Sequence, residues 1–321
     1  RKLKMSIYNG ELLFIKSVKD GIPNRDPLND SDARRIFPEE DGRISLSDVS
    51  IKRDVRDFVI SLYPDGSEKN HVFVQAIMNE KGKLLGRKSL AMKIAETVGK
   101  EKEAKQDMKS VLIEHAFDVR TFGIVYSENP KFHLTGPVQF SWAHSMHPVD
   151  THYVQGTVTM PSSDSSSGGE EKTQGTIWTS YTVPFAVFAM PGVINAQSAK
   201  HTQMTVEDQE LLLRGLWQGT QNRHARGRGQ QEPLILIHIE YNDPFFRIGS
   251  LEDMVKLIPE ADVWKDDSRR PSSIKDIRLD VTELLEMFSK FEQKIHRCRI
   301  WKHPLLQVEG NIDQYQQEIA W

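Results

Sequence analysis

The chain has 321 residues, 38% of them hydrophobic and 27% charged, which is the composition of a folded globular protein of one or two domains and excludes a disordered one. No apolar run is long enough to cross a bilayer, and a net charge of −3 excludes a protein that coats nucleic acid through overall charge, so any such binding must rest on local cations. The one cysteine, Cys298, excludes an internal disulfide and a cysteine zinc site.

Packing alone must therefore hold the fold, as suits a reducing cytoplasm. No signal-peptide pattern opens the sequence, and Arg1 stands where an initiating methionine is missing or removed. The expected localisation is the cytoplasm.

Residues 11–18 read as a strand. A polar loop follows, Lys19-Asp-Gly-Ile-Pro-Asn-Arg-Asp-Pro-Leu-Asn29 and onward. Then Gly42-Arg-Ile-Ser-Leu-Ser-Asp48 leads into an amphipathic helix with Ile51, Val55, Phe58, Val59 and Leu62 on one side. Lys52, Arg53 and Arg56 fall elsewhere, Lys52 and Arg56 one turn apart. Such a strand, loop and helix can hold a phosphate backbone without reading bases. The plainer alternative is a solvated helix face, since Asp54 and Asp57 can neutralise the cations and Arg53 sits one turn from Asp57.

Pro64-Asp-Gly66 stops this helix. Residues 71–78 read as a strand, 82–86 as a loop, and 89–117 as one long helix or two with a charged middle. Gly82-Lys-Leu-Leu-Gly86-Arg-Lys88-Ser89 is not a phosphate loop. Three residues rather than four separate its glycines, and Arg87 precedes the lysine. Residues 118–125 and 136–143 read as strands, the second with Val138, Phe140 and Trp142 alternating against Gln139 and Ser141.

His144, His147 and His152 invite a metal reading, but their spacing matches no helical zinc pair and no cysteine is near. Polar loop residues, some touching a ligand backbone, are expected instead. Ser145, His147 and Asp150 include the types of a nucleophilic triad, without the elbow motif and too close together in sequence. Strands around 153–160 and 175–183 flank a Ser/Gly-rich stretch, and together they read as a long hairpin. It is either a variable surface loop or an arm reaching a neighbouring molecule.

Residues 184–190 read as an apolar strand. Thr205-Val-Glu-Asp208 is a capping box opening a helix whose core face is Val206, Leu213, Leu216 and Trp217, with Gly219 as its expected C-cap. Arg223, Arg226 and Arg228 lie in a glycine-bearing loop with no acid, either the most nucleic-acid-like patch of the chain or a basic loop of no specific use. Residues 234–241 read as a buried strand. The remainder reads as a short helix at 250–258, then strand, helix and strand over 277–301.

The expected fold class is α+β: a ferredoxin-like or RRM-like core in split β-α-β order, with a mainly helical insertion and a β-hairpin. The core is 1–65 with 117–150 and 184–245, the helical insertion 66–116, the hairpin 151–183, and 246–321 an appendage packed on the core. The aromatic signature of RNA-recognition domains is absent.

Asn24-Arg-Asp-Pro-Leu-Asn29, Leu46-Ser-Asp-Val-Ser-Ile-Lys-Arg-Asp-Val-Arg56, Asp118-Val-Arg-Thr-Phe-Gly123, Gly136-Pro-Val-Gln-Phe-Ser-Trp-Ala-His-Ser-Met-His-Pro148 and Val183-Pro-Phe-Ala-Val-Phe-Ala-Met-Pro-Gly-Val-Ile-Asn195 occur in that order. Together they resemble the backbone subunit, of the Cas-seven family, of type I CRISPR Cascade complexes, nearest subtype I-B. The resemblance covers roughly residues 8–245. It implies a hand-like molecule, with the RRM-like core as the palm, the 66–116 insertion as the fingers and the 151–183 hairpin as the thumb, and copies stacked head to tail along a CRISPR RNA in an open filament. Sequence specificity would then lie in pairing of the guide with a target DNA strand. Implied partners are the foot or handle-capping, large and small Cascade subunits, with a helicase-nuclease or transposition proteins as alternatives.

The resemblance implies RNA contacts at Asn24, Arg25, Ser47, Lys52, Arg53, Arg56, Gln139, His144, Arg223, Arg226 and Arg228. It implies thumb contacts at Val158, Met160 and Trp178. No cofactor, metal or catalytic residue is implied. Arg25 departs from the family's small glycine, and Asp20, Asp26, Asp30 and Asp32 raise the alternative of a metal-dependent ribonuclease like type III relatives. A stand-alone RNA-binding regulator is a third reading. The leading one fails if Lys52 and Arg56 are buried or turned away from any bound strand and each subunit is self-contained.

Overall fold

The computed structural model describes residues 6–22, 42–158, 176–223 and 228–321. Asn24, Arg25, Met160 and Arg226, and the loop acids Asp26, Asp30 and Asp32, lie outside the described residues.

Alternating side chains on a long strand set the architecture. β1 (Asn9–Gly21) turns Leu12, Phe14 and Val18 to one side and Leu13 and Ile15 to the other, and all are buried. It is followed by β2 (Ser45–Leu46) and α1 (Asp48–Leu62). Ile51, Val55 and Val59 of α1 are buried, while Leu62 reaches solvent. Next come α2 (Arg87–Thr97), α3 (Glu101–His115), α4 (Phe117–Phe122), β3 (Gly123–Tyr126), β4 (Phe132–Thr135), β5 (Val138–Phe140), β6 (Ala143–Ser145) and β7 (His152–Val158).

The chain continues through β8 (Thr176–Ile194), α5 (Ala196–Thr202), α6 (Val206–Asn222) and β9 (Gln230–Tyr241). The last part holds β10 (Lys256–Ile258), α7 (Ala261–Trp264), β11 (Arg278–Asp280), α8 (Thr282–Lys290), β12 (Ile295–Lys302) and β13 (Gln307–Glu309).

The central sheet has the order β12-β9-β1-β8-β6-β2, with β5 and β7 also paired to β8. Its neighbouring strands run antiparallel. The 19 residues of β8 let one strand carry three partners along one edge: β7 at its start, β6 in its middle and β5 at its end. One sheet face packs on α1 and α6, burying Phe14, Val55, Phe188, Leu213, Leu216 and Trp217. The other face is covered by the last part of the chain, with Trp264, Leu279 and Phe288 against Leu13, Ile15, Val187 and Ile237. A separate core joins α2, α3 and α4 to β3 and β4.

Several expected elements change here. Residues 71–78 form no strand: the Asp118 carboxylate accepts the amide protons of Phe73 at 2.8 Å and Val74 at 3.0 Å, which a partner strand would otherwise take. The expected strand at 118–125 is one short helix and then β3. The helix ends at Gly123, whose φ of 78° favours glycine, and a Cβ there would lie 2.2 Å from the Leu134 carbonyl oxygen. The 136–143 strand breaks after Phe140, so Trp142 turns out of the alternating face and is 42% exposed.

Gly219 is not a C-cap, because α6 continues to Asn222. A Cβ at Gly219 would lie 2.6 Å from the Asp54 carbonyl oxygen, so glycine is what lets α1 and α6 approach. The capping box is present as expected, with the Asp208 amide donating to the Thr205 hydroxyl at 3.1 Å and the Thr205 amide to the Asp208 carboxylate at 2.9 Å. The expected helix at 250–258 is a single 3-10 turn and then β10, and α8 stops at Lys290. β12 pairs along β9, so the last part of the chain completes the central sheet as well as covering it. The helices of the insertion share their core with β3 and β4.

Candidate nucleic-acid interface

Position 16 of β1 points toward α1, yet it holds a lysine where the alternation calls for an apolar residue. Lys16 is 4% exposed. Its ammonium donates to the Gln231 side-chain oxygen at 2.7 Å and lies 3.7 Å from the Asp54 carboxylate. Burial pushes its pKa down. Asp54 pulls it back up, and the fields of Arg223 and Arg228 lower it further.

Asp54 is itself 1% exposed. Arg223 reaches it from the end of α6 and also donates to the Ser50 carbonyl at 3.0 Å. Lys16 and Arg223 thus bear on a single buried carboxylate, and Arg228 adds its field at Lys16. Above them Lys16, Ser47, Ser50 and Ile51 line a small crevice with Phe14 and Phe188. Ser47 occupies the N-cap position of α1, but its hydroxyl does not close onto the first turn. The first amides of this helix carry the positive end of its dipole.

The other edge of α1 behaves differently from the expectation. Arg56 is 8% exposed and donates through Nε to Asp118 at 2.9 Å, over the Phe122 ring. It ties α1 to α4 and is not a surface cation. Lys52 donates to Asp48 at 2.8 Å and is only 13% exposed in its side chain, packed beside Phe122. Arg53 is exposed and pairs with Asp57 at 2.7 Å, the surface pair allowed by the spacing. Lys52 and Arg56 therefore do not stand free toward a bound strand.

The remaining expected residues are dispersed. Arg223 sits at the α6 terminus, anchored as above, and Arg228 at the start of the chain into β9. Gln139, on β5, donates to the Gly136 carbonyl at 3.0 Å. His144, on β6, faces Ala189 of β8 in register and lines a larger cleft on the sheet's other face. Trp178, on β8, stands opposite Gly156 of β7, and its ring fills the space a Cβ there would need. Val158 pairs in register with Thr176 at the last described rung of this hairpin.

Sequence reasoning missed Lys16, Ser50 and Asp54. The available signal was a lysine at an inward position of an apolar strand, opposite an aspartate on an inward edge of α1.

The histidines form no metal site, and among the described residues no group of three or more His, Cys, Asp or Glu could hold a metal ion. His147 is 2% exposed and is not a surface loop residue: its Nε2 accepts the Val187 amide proton at 3.0 Å and its ring stacks on Trp264. The Ser145 hydroxyl donates to the His147 carbonyl at 2.8 Å, so no triad relay exists. Among the described residues no helix is long and apolar enough to cross a membrane.

Burial, opposed by the Pro148 carbonyl and helped by Arg270, pushes the His147 pKa down to about 3. Burial and Arg299 do the same for His238, again to about 3. Both stay neutral in the folded chain while the unfolded chain protonates them below 6.5. Their contribution is whole above pH 6.5 and is lost as pH falls from 6.5 toward 3. Each should cost about 1.4 kcal/mol at about pH 5.5, one unit below the unfolded value. Urea midpoints at neutral pH and in this acid range test it. His238→Gln should flatten the slope, and an acid midpoint equal to the neutral one would refute the assignment.

Fold and crevice define a mixed α/β protein whose cations gather under the first turns of one helix, on a sheet covered on both faces. The chain belongs to the CRISPR-associated protein Cas7 family, whose profile matches residues 8–282. It is 26% identical over 340 aligned positions to the CRISPR-associated protein Cas7 of Haloferax volcanii, covering 98% of this chain and 93% of that one. It shares its fold with a chain of a CRISPR RNA-guided surveillance complex, pre-nicking, at a TM-score of 0.56 and 13% identity, covering 94% of this chain and 96% of that one. A chain of a CRISPR RNA-guided surveillance complex matches at a TM-score of 0.54 and 12% identity, over 98% and 95% of the two chains.

Proposed function

We propose that this chain is the guide-RNA-coating backbone subunit of a type I Cascade complex, acting without catalysis and repeating head to tail along the RNA. The observation that carries the reading is the convergence of Lys16 and Arg223 on one buried carboxylate beneath the N-terminus of α1, with Arg228 close enough for its charge to act on Lys16. A phosphate at the mouth of the crevice would meet the Ser47 and Ser50 hydroxyls and the helix amides, with the buried cations contributing their field from below. Family membership sets the ligand class.

Strands β9-β1-β8-β5 with α1 and α6 on one face support the ferredoxin-like, RRM-like palm, in the order 4-1-3-2 of its split β-α-β halves. The usual RNA-recognition platform stacks bases on an open sheet face. Here that face is buried by Trp264, Phe288 and their neighbours. Binding would then grip the sugar–phosphate track at the α1 crevice and leave the bases free to pair with a target DNA strand. The β7–β8 hairpin is the proposed thumb, and α2 to α4 with β3 and β4 the fingers. The other Cascade subunits are the proposed partners of the ends and flank of the filament.

Purification of the chain from its native host, with the mass and sequence of whatever co-purifies, tests the reading. A repeat-derived RNA carrying several copies is expected, and a monomer free of RNA or on one short RNA would overturn it. Incubating that complex with complementary RNA and magnesium should give no regularly spaced fragments. Their appearance would establish the ribonuclease alternative.

A further inference from the structure

Phe245 is 85% exposed. Single exposed apolar side chains are ordinary, but this one stands on a loop whose backbone is fixed throughout. Its own amide donates to the Asp243 side chain at 2.9 Å, and Lys294 holds that carboxylate at 3.0 Å. The Asn9 side chain donates to the Phe246 carbonyl at 3.1 Å. The buried Glu11 carboxylate accepts the Ile248 amide at 2.9 Å and the Gly249 amide at 3.0 Å, besides the Tyr241 hydroxyl. Phe246 packs inward on Tyr241 and Phe291, which leaves Phe245 and the exposed Arg247 directed outward. A rigid aromatic with a neighbouring arginine has the character of an interface anchor, because little freedom remains to be lost on binding.

A matching surface is formed in part by the chain that follows this loop. Between β6 and β8 on one side and residues 252–261 on the other is a cleft of about 640 Å³. Trp142, Met146, Val255 and Leu257 supply apolar lining. Glu252, Asp253 and Glu260 supply carboxylates, Asp253 and Glu260 being exposed. One Glu252 oxygen is buried without a hydrogen-bond partner, and burial raises its pKa. Asp280 of the cleft is engaged by the Thr282 amide, and the cleft cation Lys256 lies 3.6 Å from Glu283; Arg43 also lines it. An incoming guanidinium would meet more acid than base.

The anchor loop leaves the sheet at β9 and β12, whereas the cleft lies over β8 and β6. Unlike surfaces that meet between copies, one copy's loop on the next copy's cleft, make a head-to-tail contact that repeats rather than closing into a two-fold pair.

We propose that Phe245 and Arg247 of one copy seat in this cleft of the next copy, Phe245 on the apolar lining and Arg247 among the Glu252, Asp253 and Glu260 carboxylates. The proposal rests on the head-to-tail assembly put forward above and names the contact that sustains it.

The test compares the full chain with Phe245→Ala and Arg247→Glu by sedimentation on a single-stranded RNA long enough for several copies. Affinity for an RNA long enough for one copy is measured alongside. Each variant should need about tenfold more protein, or beyond, to form multi-copy particles, with short-RNA affinity unchanged. Adding Asp253→Arg and Glu260→Arg to Arg247→Glu should restore assembly. Wild-type assembly by Phe245→Ala would overturn the anchor, and failure of the charge exchange to rescue would overturn the cleft as its seat. Loss of short-RNA binding in the unaltered chain would instead count against the RNA-coating reading itself.

Discussion

Arg120→Ala should destabilise the protein by about 3–5 kcal/mol, the cost of leaving a buried ion-pair partner behind. Arg120 is 6% exposed. Its Nε and one terminal nitrogen donate to the Asp208 carboxylate at 2.8 and 2.7 Å, a two-pronged contact. The same guanidinium donates to the carbonyls of Ile113 and Glu114 at 3.2 Å and of Lys69 at 3.0 Å. Removing it strips the partners of those groups and a charge from beside the α6 capping box. Against a typical net stability of about 5–15 kcal/mol, that is from about a fifth of it to all of it. Arg120→Lys should recover little, because a point ammonium cannot satisfy the carboxylate in two prongs and reach the carbonyls as well. Chemical denaturation measures both, and a loss below about 1 kcal/mol for Arg120→Ala would show the pair to be dispensable.

The Asp118-to-Gly123 segment shows what was legible in the sequence. Its alternation of apolar and polar residues reads equally as a strand or as one helical turn. The decision came from tertiary partners: Asp118 reaches toward α1 and takes Arg56, while Arg120 reaches toward α6 and takes Asp208. No local pattern encodes partners 62 and 88 residues away. The long strands β1, β8 and β9 and the helices α1 and α6 were legible because their apolar periods run long enough to exclude the alternative. Their order also carries the strand arrangement of the sheet. Residues 71–78 were misread for the opposite reason, since apolar composition was present and the backbone hydrogen bonds went to a side chain.

The site was legible only in outline. The α1 region drew attention through its cations, but the free-cation assumption failed on Arg56, which the fold consumes, and in part on Lys52. Charge on a helix wheel gives direction, not availability. Lys16 was hidden because a strand reading treats its inward positions as core. A lysine there is costly unless something negative waits inside, and Asp54 is that something.

Lys16 and Arg56 therefore yield opposed outcomes when each is removed, and the contrast locates the grip. Lys16→Met should weaken binding to single-stranded RNA by about 1.5–3 kcal/mol, the range of a hydrogen bond to a charged group. The loss should be uniform across sequences, and the salt dependence should become shallower by about one unit of slope. Folding should survive, because Arg223 still pairs with Asp54 and a buried lysine has given way to an apolar side chain of similar reach. Arg56→Ala should do the reverse. It leaves Asp118 buried with only the amides of Phe73 and Val74, so stability falls while the RNA affinity of the folded fraction and its salt slope hold. Binding titrations over a range of salt, paired with denaturation of the same samples, separate the two. Equal salt slopes for Lys16→Met and the parent chain would remove Lys16 from any contact with phosphate and move the grip away from the α1 crevice.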